Sequence, residues 1–180
     1  MQRNLWAPWR QSYLLELEHR AATAAPDPHA PRESSNFLAA YWAAPDFDEQ
    51  NLVVFRNGHG IVLLNRFPYA NGHLLAALGE ARPTLREYEP AARAEFWKLV
   101  DLASELVDRT LRPQGVNVGV NVGRAAGAGL PEQVHAHVVP RWNGDTNFMS
   151  VIGEVRLIPE NLDTMAQKYR RTLASLPNRE

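Results

Sequence analysis

The sequence predicts an α+β domain built on an antiparallel sheet, with one long amphipathic helix and a second helix closing the C-terminal end. Three observations carry that reading. Short runs of β-branched and aromatic residues recur between turn residues. A single long window, Pro90 to Leu111, repeats its apolar residues every three or four positions. No internal repeat or second compositional block divides the chain.

In chain order, residues 1–35 are expected to form an N-terminal arm and linker, and residues 36–180 a single domain. The arm places Trp6 and Trp9 around Pro8 and continues as a short helical stretch to about Glu18. Ala21 to Ser35 is rich in Ala and Pro with few large apolar side chains, the composition of a linker. Leu52 to Arg56 and Gly60 to Leu64 flank Asn57-Gly58 and read as a β-hairpin, because Asn-Gly accepts the positive φ angles of a tight turn. Arg66 to Gly72 contains Pro68 and Asn71-Gly72, so it is a loop, and His73 to Leu78 is a third strand.

Pro90 suits the first turn of the long helix, and Ala92, Phe96, Leu99, Ala103 and Leu106 form its apolar stripe. Val116 to Val122 alternates Val with Asn and Gly, as a strand half facing a site would. Gly123 to Gly129 is a loop of small residues, and Val134 to Val139 a strand stopped by Pro140. After a polar turn from Asn143 to Asn147, a short strand is expected at 155–158 and a helix from Glu160 to Leu173.

Composition narrows the function. Nineteen basic against twenty acidic residues give a net charge of −1, with no basic excess for nucleic acid or an anionic membrane. The chain has no cysteine, which removes disulfides, thiolate nucleophiles and cysteine-ligated zinc. No window is apolar enough to span a bilayer, and Met1 to Arg10 lacks the core of a signal peptide, so the cytoplasm is the expected location. No cofactor is expected.

The chemistry is concentrated in Gln133-Val134-His135-Ala136-His137. On a strand, Gln133, His135 and His137 project to one face and Val134, Ala136 and Val138 to the other. A neutral imidazole can attack phosphorus and form a phosphoramidate that a second nucleophile later breaks. The attacking nitrogen must be unprotonated, so the other ring nitrogen should donate to a fixed acceptor. Two other readings stay open from these residues alone. They are a satisfied core histidine and a metal half-site, for which His73 or Asp145 would have to supply a third ligand. The loop before the strand, Gly123 to Gly129 with Arg124, would let backbone N–H groups approach phosphate oxygens.

Taken together, the glycine-rich loop, Leu130-Pro131 and Gln133-x-His135-x-His137 resemble the histidine triad family, and most of all its bacterial branch of ATP adenylyltransferases and diadenosine tetraphosphate phosphorylases. Leu5 to Arg10, Leu64 to His73 and Val138 to Met149 are similar to segments of the same branch. The resemblance implies a histidine-triad-like α+β sheet and a homodimer. It implies an adenosine nucleotide substrate, with no nucleic-acid or membrane partner. Carried over by position, His135 is the nucleophile and His137 positions the phosphate and leaving group. Asn65, Asn121, Gly127, Gly129 and Gln133 bind substrate, Asn65 at the ribose hydroxyls, and His73 has a mostly structural place nearby. The first triad histidine is replaced by Gln133. The zinc ligands of many relatives are replaced together, by Ser35, Leu38, Ala81 and Gln133.

The expected activity is cleavage of a phosphate linkage in a diadenosine-polyphosphate-like nucleotide through a nucleotidyl-histidine. Hydrolysis and phosphorolysis are both open, and the alternative is a nucleotide-binding protein without catalysis.

Overall fold

The computed structural model describes residues 36–145 and 158–177. Five strands form one sheet: β1 (Val53–Arg56), β2 (Gly60–Leu64), β3 (Leu74–Leu78), β4 (Gly115–Val120) and β5 (His135–Arg141). Their order across the sheet is β1-β2-β3-β5-β4, and every neighbouring pair is antiparallel. Among the described residues three α-helices accompany them: α1 (Phe37–Ala43), α2 (Pro90–Leu111) and α3 (Leu162–Ala174). The α+β class and both long helices match the expectation. The arm at 1–35 and the predicted strand residues 155–157 lie outside the described residues, and Ile158 lies in no strand.

The sheet has two differently used faces. Val62, Leu64, Leu74, Ala76, Leu78, Val134, Ala136 and Val138 pack against α2 and α3 in the main apolar cluster. α2 contributes Phe96, Leu99, Ala103 and Leu106 as its stripe predicts, joined by Val100, Leu102 and Val107, while Ala92 is only partly buried at the cluster's margin. The opposite face carries Val53, Ile61, Leu63, Leu75 and Ala77, covered in part by Leu38 and Tyr41 of α1. Ala77 pairs with His135 and Leu75 with His137, and paired residues of antiparallel strands share a face. Both histidines therefore lie on the face opposite α2.

Three local expectations need correction. The turn between β1 and β2 does not use positive φ at Asn57 or Gly58. Instead the Asn57 side chain accepts the N–H groups of His59 and Gly60, both at 2.9 Å, and bends the chain as an Asx turn. Pro140 does not stop β5, which continues to Arg141. The Arg141 carbonyl accepts from Gln114 on the β4 side, so Pro140, one residue earlier, aims its nitrogen the other way. There β3 reaches only as far as Leu74, opposite Val138, and no ladder bond is lost. Third, Gly123 to Gly129 is not a plain loop, because Arg124–Ala126 forms a 3-10 turn.

Helix α1 was not foreseen. Asn36 caps it by accepting the Ala39 N–H at 3.1 Å, but seven residues with two buried anchors are too few to show a period. α3 is capped in the same way by Asn161, which accepts the Thr164 N–H at 2.8 Å. From α3 the buried Tyr169 hydroxyl donates to the Gly72 carbonyl at 2.7 Å. Gly72 has φ +80°, and a Cβ there would stand 2.3 Å from Leu111 and 2.6 Å from the Tyr169 hydroxyl. The connection between β2 and β3 is thus pinned to the helices just before His73.

Candidate active site

β5 brings His135 and His137 together with ring centroids 5.0 Å apart. His135 is buried and His137 is half-buried. The His135 Nδ1 lies 2.9 Å from the Gln133 carbonyl. A carbonyl only accepts, so Nδ1 carries the proton and Nε2 keeps its lone pair. Burial holds the His135 imidazole below the ordinary histidine value, and the bond to Gln133 offsets part of that. Near neutral pH, His135 is an uncharged base with its free nitrogen turned away from the strand's own backbone bond.

The state of His137 is set from a distance. The Phe67 N–H donates to Asn65 Oδ1 at 2.9 Å, which fixes the Asn65 amide and turns its Nδ2 to His73 Nδ1 at 3.3 Å. The Tyr69 backbone N–H donates to the same His73 nitrogen at 3.1 Å. A ring nitrogen that accepts two donors bears no proton, so the His73 proton is on Nε2. That nitrogen stands 3.0 Å from His137 Nδ1, which must accept. His137 therefore carries its own proton on Nε2. Burial, followed by the neighbouring His135, pushes His137 down to about 4, so it too is neutral. The two triad imidazoles hold opposite tautomers, one a lone pair and the other an N–H donor.

Around His137 lies a hollow of about 190 Å³ lined by Tyr69, Asn117, Gly119, Asn121 and Val139. Gly119 pairs directly with His137, and the absence of a side chain keeps the space beside the ring open. Asn121 lines this hollow and donates weakly to the Gly127 carbonyl at 3.4 Å. Gly127 adopts φ +85°, and its N–H and those of Ala126 and Ala128 are spent on Arg124 and Gly123 carbonyls. The loop's donors are therefore fewer than its composition suggests. The Gly129 N–H, exposed at the end of the loop, has no acceptor within the described residues.

Two of the expected substrate-binding residues have partners within the protein. Gln133 is completely buried, and its Nε2 donates to the Leu78 carbonyl at 2.6 Å. That bond ties the start of β5 to the end of β3. Asn65 also caps a turn: its oxygen accepts the Phe67 N–H and its amide nitrogen faces His73, each with a further hydrogen-bonding site to spare. Asp145, weighed as a metal ligand, is held by Arg141 at 2.5 and 2.8 Å. Thr146 and Asn147 lie outside the described residues. The zinc positions do not fit a metal either: neither Leu38, buried among apolar side chains, nor Ala81 offers a ligand atom. Among the described residues, no group of three or more His, Asp or Glu side chains could hold a metal ion.

Tyr69 and Asn117 were missed by sequence reasoning. Tyr69 sits in an irregular connection where no periodicity points to it. Asn117 was visible only as part of the Val/Asn/Gly alternation of β4, and its oxygen accepts from Arg141 at 2.7 Å.

Comparison with known proteins places this geometry. The HIT domain family profile matches residues 47–144. The chain is 36% identical over 172 residues, 95% of its length and 82% of the relative's, to the AP-4-A phosphorylase of Mycobacterium tuberculosis. It is 26% identical over 93 residues to the asymmetrical bis(5'-nucleosyl)-tetraphosphatase of Schizosaccharomyces pombe, covering 52% of this chain and 50% of that one. Its fold resembles that of a histidine triad nucleotide-binding protein from Sulfolobus tokodaii, with a TM-score of 0.60 at 20% identity, over 74% of this chain and 91% of the other.

Proposed function

This chain is an enzyme that belongs to the HIT (histidine triad) family, and from that premise we propose that it cleaves diadenosine tetraphosphate or a close analogue in two steps through His135. In the first, His135 Nε2 attacks the phosphorus next to one adenosine. The P–N bond forms, the P–O bond to the leaving nucleotide breaks, and that oxygen takes the electron pair. The intermediate imidazolium keeps its proton on Nδ1, where the Gln133 carbonyl dipole faces it. His137 Nε2–H donates a hydrogen bond to the departing or non-bridging oxygen, which suits a polyphosphate that leaves as an anion. In the second step, water, which gives up a proton to solvent, or inorganic phosphate attacks the same phosphorus and the electrons of the P–N bond return to Nε2.

The observation that carries this reading is the pair of opposite tautomers on adjacent site positions. The exposed Gly129 N–H and the Asn121 amide support a role for both at the phosphates, and Gly127 supplies the turn between them. Replacement of the first triad histidine by Gln133 would favour a binding-only protein if the nucleophile leaned on that side chain. It leans on the main-chain carbonyl, which any residue supplies.

A product assay on diadenosine tetraphosphate, with and without inorganic phosphate, tests the proposal. ADP and ATP formed only with phosphate are expected, in keeping with the relative that aligns over nearly the whole chain. AMP and ATP without phosphate would make the enzyme a hydrolase. AMP binding with no product from any dinucleoside polyphosphate would overturn the reading.

We also infer a homodimer. Among the described residues β4 is an edge strand, and beside it runs a groove of about 550 Å³ lined by Thr84, Leu85, Arg86, Trp97, Val118 and Val122. Trp97, at 50% exposure, is a large apolar side chain left half in water. Trp97→Glu is expected to convert a dimer to a monomer in sedimentation; a native protein that already sediments as a monomer would refute the inference. Among the described residues no helix is long and apolar enough to cross a membrane.

A further inference from the structure

The ring of Tyr69 lies nearly parallel to that of His137, with centroids 5.5 Å apart and planes at 17°. It also touches His73, at 4.6 Å and 42°. Three rings from two elements thus enclose one another, and Tyr69 is the outermost, half exposed at the mouth of the hollow. The same residue supplies the backbone N–H that forces the proton of His73 to Nε2. One residue therefore acts on His137 twice, across its face and through its neighbour.

We propose that Tyr69 is a positioning residue for His137, covering one face of the imidazole with its phenol ring while its backbone N–H sets, through His73, which ring nitrogen carries the proton. The proposal rests on the role given above to His137 as the donor to the oxygens of the reacting phosphate. Among the described residues, the remaining groups around His137 are His135 on β5, His73 in the connection before β3, and the neutral amides of Asn117 and Asn121. None of them is a carboxylate that would stabilise a charged imidazole. Removing the covering ring admits water to one face, which favours the charged form. It also frees the imidazole to turn away from its aim at the phosphate.

The test combines titration with kinetics on the full chain labelled with ¹⁵N at histidine. In the native protein, the His137 nitrogens are expected to report an Nε2–H tautomer and to stay untitrated from about pH 8 to about pH 5.5, well past the ordinary histidine midpoint. In Tyr69→Ala the midpoint is expected to rise from about 4 toward the ordinary value. With it, kcat should fall roughly ten- to hundredfold while KM stays within about twofold. Tyr69→Phe, which restores the flat ring without the hydroxyl, should return both the titration and most of the lost kcat. A Tyr69→Ala protein whose His137 titrates as in the native protein overturns the proposal. So does a variant in which KM rises and kcat holds, since that outcome makes the ring a platform for the nucleobase. If the native protein turns over no dinucleotide, the catalytic reading fails, and the titration alone still decides what Tyr69 does.

Discussion

His135→Ala is expected to lower turnover of diadenosine tetraphosphate by about four orders of magnitude or more, as loss of a covalent nucleophile does in other enzymes. No neighbouring group can take its place. His137 presents an N–H and not a lone pair, because its Nδ1 is occupied by His73. AMP affinity should stay within about threefold, since the amides and loop donors that support binding are untouched. His135→Gln, closer in volume, separates loss of the nucleophile from collapse of a buried site. Both are read by product formation and by calorimetric titration with AMP, alongside a melting curve. Turnover within tenfold of native in either variant would remove His135 from the mechanism. The native pH profile gives a second reading of the same atom. Burial lowers the His135 value, so the neutral, attacking form persists as pH falls through the ordinary histidine range. The acid limb of kcat/KM should therefore lie below about pH 6.5.

Phe96→Ala is expected to destabilise the domain by about 3–5 kcal/mol, which for a chain of this size means a fall in Tm of roughly 6–20 °C. Phe96 is fully buried in the cluster between α2 and the sheet, among the largest side chains there. Such a loss would consume much of the total stability of an ordinary domain, roughly 5–15 kcal/mol. Chemical denaturation measures it directly. A change below about 1 kcal/mol would show that the cluster repacks around the vacancy and that α2 is not its keystone.

Much of this was legible because the relevant signals are local. The 3.6-residue repeat of α2 and its Pro90 start depend only on neighbours in the chain, and both stand as read. The alternation of β5 placed His135 and His137 on one face and their valines on the other before any partner strand was known. What could not be read depends on contacts across the sheet. Pro140 reads as a strand end unless one knows that β3 stops opposite Val138. Gln133 reads as a site residue from its alternation, and only the Leu78 carbonyl across the sheet shows where its amide nitrogen is held. The glycine-rich loop promised more phosphate donors than it has, because its 3-10 turn consumes three N–H groups internally. Tyr69 falls within the family-like segment Leu64 to His73, but nothing local in the sequence places its ring over His137. Its place over His137 is fixed by a connection pinned from the far end of the chain by Tyr169.

The alternation of β5 has an evolutionary consequence. Selection for stability and selection for activity fall on alternate letters of one short segment, Val134, Ala136 and Val138 for the first and His135 and His137 for the second. Either set can drift by substitution with little effect on the other. An insertion or deletion of one residue inside the strand cannot be absorbed in the same way. Because side chains switch faces at every step, it would turn the imidazoles into the apolar layer and the valines toward the nucleotide. In this lineage the segment should therefore vary in spelling and hold constant in length.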